Sequence, residues 1–316
     1  MVNFILKKEN FKILSTYRKK KINQYLPFTY NKNFKKIKQF KIDLLKDTKP
    51  LLKIFKNFKP DYIIDFASIC MVNESWLKPD LYFKTNVLSK AKILNYLSKA
   101  RYLKKYIYIS TPEVFGSSKK YMNENEEKFN PSTPYATSKL SAEKLLKNFS
   151  QFHELPLIIC RFSNFYGPGQ PLHRLIPKVL ACIDNKRKFA IQGDGKSMRN
   201  FIYSDDFCKG IFKVIKKGKK GNTYHFSGNK FYSVLQIIKI ICDLKSYSFK
   251  KLITKAKGRI GLDSVYKLGT TFTKSSLGWK PDYSLKKGLN EIVNYHNKNF
   301  KKYPFKKLKF IDEGLK

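Results

Sequence analysis

Apolar runs of strand length alternate with amphipathic stretches of helix length through the first 165 residues. The run DYIIDFAS (61–68) reads as a strand ending in small residues, and 77–100 reads as helical. KKYIYIST (104–111) is the next strand, followed by a helix at 134–150 and a further apolar run, LPLIICRFS (155–163). Ahead of these, Val2, Ile5 and Leu6 pattern as the tail of a helix over 2–7, and FKILST (11–16) as a short strand. Alternation at these lengths predicts an α/β fold, a doubly wound parallel sheet with helices on both faces. The polar, turn-rich stretch 115–134 then lies over the carboxyl edge of the sheet, where open α/β sheets hold their ligands. Past residue 165 the alternation loosens, and a helix near 286–298 closes a smaller lobe. The expected division is a first unit of residues 1–165 and a second of 166–316, with roughly 198–227 returning to the first.

Charge changes this picture less than its size suggests. The net charge is +42, but only seven of the 65 basic residues are Arg, and the Lys are spread along the whole chain. Nucleic-acid readers gather their cations on one element or patch, so no specific nucleic-acid partner is expected, only salt-sensitive stickiness. No apolar run reaches bilayer length, which argues against membrane insertion. Five cysteines without C-x-x-C spacing and four isolated histidines suggest free thiols in a reducing cytoplasm and no metal site. Because Arg is scarce, its placement is informative: bidentate phosphate recognition is a task in which Lys replaces it poorly.

In PSTPYATSK, Tyr135 stands four residues before Lys139, which puts both on one face of a helix. An ammonium beside a phenol lowers the phenol's pKa toward the range of acid/base work. The spacing alone carries little, since about four such pairs arise by chance in a chain this rich in both residues. What distinguishes Tyr135 is its position behind a Pro-containing loop that follows the strand end ISTPEVFG.

Taken in order, DYIIDFAS, ESWLKPDLYFKTNV, STPEVFG, PYATSK, RFSNFYGPGQ, LIPKVL, GDGKSMRNFIYSDD and GRIGLDSVYKLGTTFTKSSLGWKP resemble the extended short-chain dehydrogenase/reductase family. They are most similar to its nucleotide-sugar 4,6-dehydratases of the dTDP-glucose type. The resemblance implies a Rossmann-type cofactor domain, a substrate-binding lobe, a homodimer built on the helices at 77–100 and 134–150, and NAD as cofactor. Folds of this family begin with a strand and a G-x-x-G-x-x-G turn. The sequence as given starts inside the helix that would follow them, so the expectation is a chain shortened at its start that binds dinucleotide poorly. Where an NAD-specific member carries an acid after the second strand, TYRKKK offers Arg18, which leaves NADP open.

By the same resemblance, Thr111, Glu113, Tyr135 and Lys139 are the catalytic residues. Tyr135 would take the proton of the sugar 4-hydroxyl, Thr111 would hydrogen-bond that hydroxyl, and Lys139 would hold the nicotinamide ribose. Glu113 would then remove the C5 proton made acidic by the 4-keto group. Arg18, Phe66, Ala67, Ser68, Asn86, Tyr135, Lys139 and Arg161 would meet the cofactor. Asn164, Arg174, Leu175, Arg199 and Arg259 would meet the nucleotide sugar. One departure stands out. Pro112 occupies the position of the Asp that protonates the leaving hydroxyl in dTDP-glucose enzymes, so Glu113 has to serve as both base and acid. The alternatives are an epimerase or a UDP-xylose-forming decarboxylase on the same kind of substrate, and an inactive family member. Phe201, Tyr203 and Trp279 read as packing residues.

Overall fold

The structure, a computed structural model, describes residues 1–7, 11–18, 26–256 and 263–299. A short helix α1 (Val2–Ile5) precedes β1 (Leu14–Tyr17) and β2 (Lys38–Lys41), which pair in parallel. Next come α2 (Lys49–Phe58), β3 (Tyr62–Asp65), and the helices α3 (Val72–Leu77), α4 (Pro79–Phe83) and α5 (Ser89–Leu97). The helix expected as one piece over 77–100 is therefore broken. Its centre, Lys84–Leu88, is a π-helical turn, an irregularity often found at functional sites.

The central strand explains how the sheet is buried. In β4 (Lys105–Ser110), Tyr106 and Tyr108 pack into a core under α5, whereas Ile107 and Ile109 face a second core on the other side. A strand covered on both faces needs no polar side, and both sets alternate with period two. A short β5 (Tyr121–Met122) interrupts the loop expected over 115–134 before α6 (Pro134–Phe152) begins. The same alternation recurs in β6 (Leu157–Phe162), with Leu157 and Ile159 on the α6 side and Ile158, Cys160 and Phe162 opposite.

The second half builds a smaller unit. It comprises β7 (Asn164–Tyr166), α7 (Leu175–Asp184), β8 (Phe189–Gln192), β9 (Met198–Tyr203) and α8 (Ser204–Lys217). Then follow β10 (Thr223–Phe226), β11 (Phe231–Ser233), α9 (Val234–Leu244), α10 (Phe249–Leu252), β12 (Ile253–Ala256), β13 (Lys267–Leu268), α11 (Thr271–Leu277) and α12 (Leu285–Asn299). Helices α7, α9 and α12 share a core of Val179, Leu180, Ile237, Ile241 and Leu289. Ser233 starts α9 with a reciprocal cap: its hydroxyl accepts from the Gln236 N–H while the Gln236 side chain accepts from the Ser233 N–H. Two elements of this half join the main sheet instead: α8 packs on it through Phe207, Ile211 and Val214, and β10 pairs in parallel with β6.

The main sheet runs β10–β6–β4–β3, all parallel. Its edge strand β3 and the edge strand β1 of the β1–β2 pair line one cavity of about 2590 Å³, and no ladder joins them among the described residues. Phe4 and Ile64 pack on one side of that space, and Leu51 and Ile63 on the other. The cavity continues past the carboxyl ends of the strands toward the second unit, reaching Thr111, Glu113, Arg174 and Arg199.

Candidate active site

Three local structures bring the catalytic candidates to this cavity. After β4, Thr111 caps a 3-10 turn over Pro112–Phe115, its hydroxyl accepting from the Glu113 N–H at 3.3 Å. Pro112 suits the first position of that turn, because its fixed φ costs nothing there and its missing N–H has no partner to lose. Gly116 ends the turn at φ +64°, where a Cβ would sit 2.1 Å from the Asn130 carbonyl oxygen, so only glycine fits. Helix α6 is started by Thr133, whose hydroxyl accepts from the Ala136 N–H at 3.2 Å, with Pro134 in its first turn. That places Tyr135 at the helix opening, where the Thr111 side chain favours the charged form of its phenol.

The electrostatics differ from the expectation drawn from spacing. Burial raises the Glu113 carboxyl to about 7, and Asp263 adds to the rise, while Arg199 and Arg174 oppose it. Burial also pushes the Tyr135 phenol well up, with Glu113 and Cys70 adding to it and the Thr111 side chain and Arg174 opposing. Lys139 was expected to lower that phenol, and the phenol is instead raised. Lys139 is buried behind the cavity and does not line it, donating to the Ile109 carbonyl at 2.7 Å with its ammonium 4.2 Å from the centre of the Tyr108 ring. Burial and the nearby Lys90 bring Lys139 down to about 7.

Of the other residues expected at the site, Arg18, Phe66, Ala67, Ser68, Asn164, Arg174, Leu175 and Arg199 line the cavity. Arg174 donates to the Cys70 thiol at 3.0 Å. Arg199 donates to the Asp263 carbonyl at 2.7 Å and stacks its guanidinium over the Tyr266 ring at 5.0 Å. Asn164 accepts from the Tyr266 hydroxyl at 3.2 Å. Arg259 lies outside the described residues.

Three expected cofactor contacts are placed elsewhere: Lys139, described above, Asn86 and Arg161. Asn86 is fully buried and does not line the cavity; its amide accepts from the Ile69 N–H at 2.8 Å and donates to the Ile69 carbonyl and the Ser138 hydroxyl. Arg161 is 1% exposed and forks onto Glu143 at 2.6 and 3.1 Å, with His225 at 3.1 Å and the Phe115 ring beneath it. A guanidinium so enclosed braces β6 against α6 and is shut off from the cavity by its burial. Replacing it with Met leaves Glu143 buried without its partner, and unfolding free energy should fall by about 3–5 kcal/mol. Adding Glu143→Leu should return most of that loss, which thermal melts of the two variants would test.

Sequence reading missed several groups. Asp43 and Leu44, just past β2, line the cavity, as does Cys70. The buried ion pair of Asp65 with Lys90, 2.8 Å apart, was also missed. A Lys in a chain with this many Lys gives no signal until its burial is known. Ser110 lines the cavity too, and its buried hydroxyl has no partner among the described residues.

The parallel sheet with Thr111, Glu113 and Tyr135 at its carboxyl edge shares the fold of the extended short-chain dehydrogenase/reductases. The chain belongs to the GDP-mannose 4,6 dehydratase family, which matches residues 1–292. A dTDP-D-glucose 4,6-dehydratase of Bos taurus is 32% identical over 253 residues, spanning 78% of this chain and 70% of that one. Among solved structures, dTDP-glucose 4,6-dehydratase from Bacillus anthracis in complex with NAD is 26% identical, with a TM-score of 0.81. It covers 98% of this chain, and 96% of its own length is covered in turn. UDP-glucose 4-epimerase from Thermotoga maritima, solved with UDP-glucose, shares the fold at 24% identity and a TM-score of 0.82, covering 95% of this chain and 94% of its own.

Proposed function

We propose that this chain is an NAD-dependent nucleotide-sugar 4,6-dehydratase that converts a nucleoside-diphosphate hexose, dTDP-glucose first among candidates, to its 4-keto-6-deoxy derivative. The observation that carries the reading is Glu113, a carboxyl raised to about 7 in the same cavity as Tyr135 and Thr111. With both protonation states present near neutral pH, one carboxyl can take a proton and return it. That is what the Pro112 position requires, since proline has no proton to give.

NAD fits the residues present: the orphaned Ser110 hydroxyl is a buried polar group awaiting a partner, beside a cavity that extends along the strand ends. Arg18, Phe66, Ala67, Ser68 and Ser110 would hold it. Bound there, NAD supplies the acceptor for hydride from C4 and the donor that returns it to C6. The chain's own groups do the rest. Tyr135 would take the 4-hydroxyl proton, with Thr111 holding that oxygen, and for this its raised phenol needs the positive charge that NAD would supply when bound. Glu113 would then remove the C5 proton and deliver it to the departing C6 hydroxyl, so water leaves; a solvent proton would close C5 as C6 is reduced, and Tyr135 would release the proton it took. Arg174 and Arg199, both on the cavity wall, supply cationic charge for the diphosphate, and Asn164 and Leu175 flank the sugar.

In this reading residues 1–165 with 198–227 form the cofactor unit and the remainder the sugar-nucleotide lobe. A homodimer through the helices at 77–100 and α6 is supported by the exposed apolar side chains of Leu77, Phe83, Leu88 and Phe152. Five unpaired cysteines support a cytoplasmic setting.

The test is product chemistry. Incubated with dTDP-glucose and NAD, the protein should yield a product that absorbs in strong base, as 4-keto-6-deoxy sugars do. A base-silent 4-epimer would sink the dehydratase reading in favour of an epimerase. Release of carbon dioxide from UDP-glucuronate would favour a decarboxylase.

A further inference from the structure

The loop leaving β3 is held by side chains from outside it. Ala67 has its N–H accepted by the Asp65 carboxylate at 2.9 Å, and its carbonyl accepts from the Lys90 ammonium at 2.7 Å. Two residues on, Asn86 fixes both backbone groups of Ile69. Asn86 and Lys90 are four residues apart, so one helical face supplies both braces. The brace at Ala67 is itself anchored. Lys90 is 1% exposed and bonds both Asp65 oxygens at 2.8 and 3.0 Å, and the Tyr106 hydroxyl donates to Asp65 at 2.5 Å.

A loop on a surface needs none of this, and an ion pair removed from water is costly to maintain. The loop so braced, Phe66 to Cys70, lines the cavity beside Ser110 and Tyr135. We infer that Lys90, working with Asp65, is a positioning residue of the dinucleotide site: it fixes the backbone of Phe66–Ser68 in the shape the cofactor needs. This rests on the cofactor reading given above and adds a residue that touches neither substrate nor the reacting atoms. The same ammonium contributes to the low proton affinity of Lys139, and Asp65 opposes it.

Lys90→Met alone leaves Asp65 buried without its cation and is at risk of not folding. The informative variant is Lys90→Met/Asp65→Leu, which removes both charges and with them both holds on Ala67. Its melting temperature should fall by several degrees, since the Tyr106 hydroxyl and the Ala67 backbone groups lose their partners, but the chain should still fold because no charge is left buried alone. Its affinity for NADH, read by nicotinamide fluorescence, should fall about tenfold or more, the scale of losing hydrogen bonds to charged groups. Turnover at saturating cofactor should change far less.

A double variant that folds and binds NADH as tightly as wild type overturns the inference alone. A wild-type chain that binds no NADH overturns the cofactor reading and this inference with it. A wild type that binds NADH but makes no keto sugar defeats only the dehydratase reading, and weakened NADH binding by the variant would then still support Lys90.

Discussion

Glu113→Gln should lower turnover by about a hundred- to ten-thousandfold, the usual worth of a positioned general base. The amide can neither take the C5 proton nor return one to the leaving hydroxyl, and Pro112 offers no substitute. The first step survives, because Tyr135 and Thr111 are untouched. Mixed with NAD and dTDP-glucose, the variant should develop the near-ultraviolet absorbance of reduced nicotinamide and keep it. In the wild type, activity should fall as pH drops through about 7, where Glu113 takes up its proton. Stability should move the other way. A carboxyl whose folded pKa lies above its unfolded value makes the folded state bind protons more tightly, so stability is lost as pH rises from 4.5 to about 7. Gln removes that cost. The variant should therefore be more stable than wild type by about 2 kcal/mol at pH 8 and no more stable at pH 4, the full shift being discounted for partial exposure to the cavity. A Glu113→Gln enzyme with near-normal turnover would end the single-carboxyl mechanism.

Tyr135→Phe should cost a similar hundred- to ten-thousandfold factor but at the other end of the reaction. The ring stays, still packed edge-on against Tyr82 at 6.4 Å, so folding and nucleotide-sugar binding should be nearly unchanged. What goes is the hydroxyl proposed to take the 4-hydroxyl proton. No reduced-nicotinamide absorbance should appear in this variant. The pair of variants thus separates oxidation from elimination. If Tyr135→Phe still reduced the cofactor, another group would have to be the acid/base, and Cys70 on the cavity wall would be examined next.

The sheet was legible because β4 and β6 carry unbroken apolar runs, Tyr106–Ile109 and Leu157–Cys160, a pattern that suits a strand covered on both faces. Helix α6 was legible from its proline and its cap. Thr111, Glu113 and Tyr135 could be found because the family's motifs hold them at fixed distances from those elements. Direction and partnership could not. Nothing in RFSNFYG says that Arg161 turns inward to Glu143, eighteen residues earlier and one helix away. Nor does a spacing of four reveal that Lys139 is spent on a carbonyl and a ring rather than on Tyr135. Burial decides such questions, and burial is a property of the assembled chain.

The separation of β1–β2 from the main sheet has a consequence for motion. A two-stranded ribbon is marginally stable by itself and depends on what packs against it. Here that packing is side chain against side chain across a cavity, with no shared ladder among the described residues. The ribbon can therefore loosen without breaking a hydrogen bond of β3, β4, β6 or β10, and its amides should exchange with solvent well before theirs. Arg18, at the end of that ribbon, sits on the part of the cavity wall that gives way first.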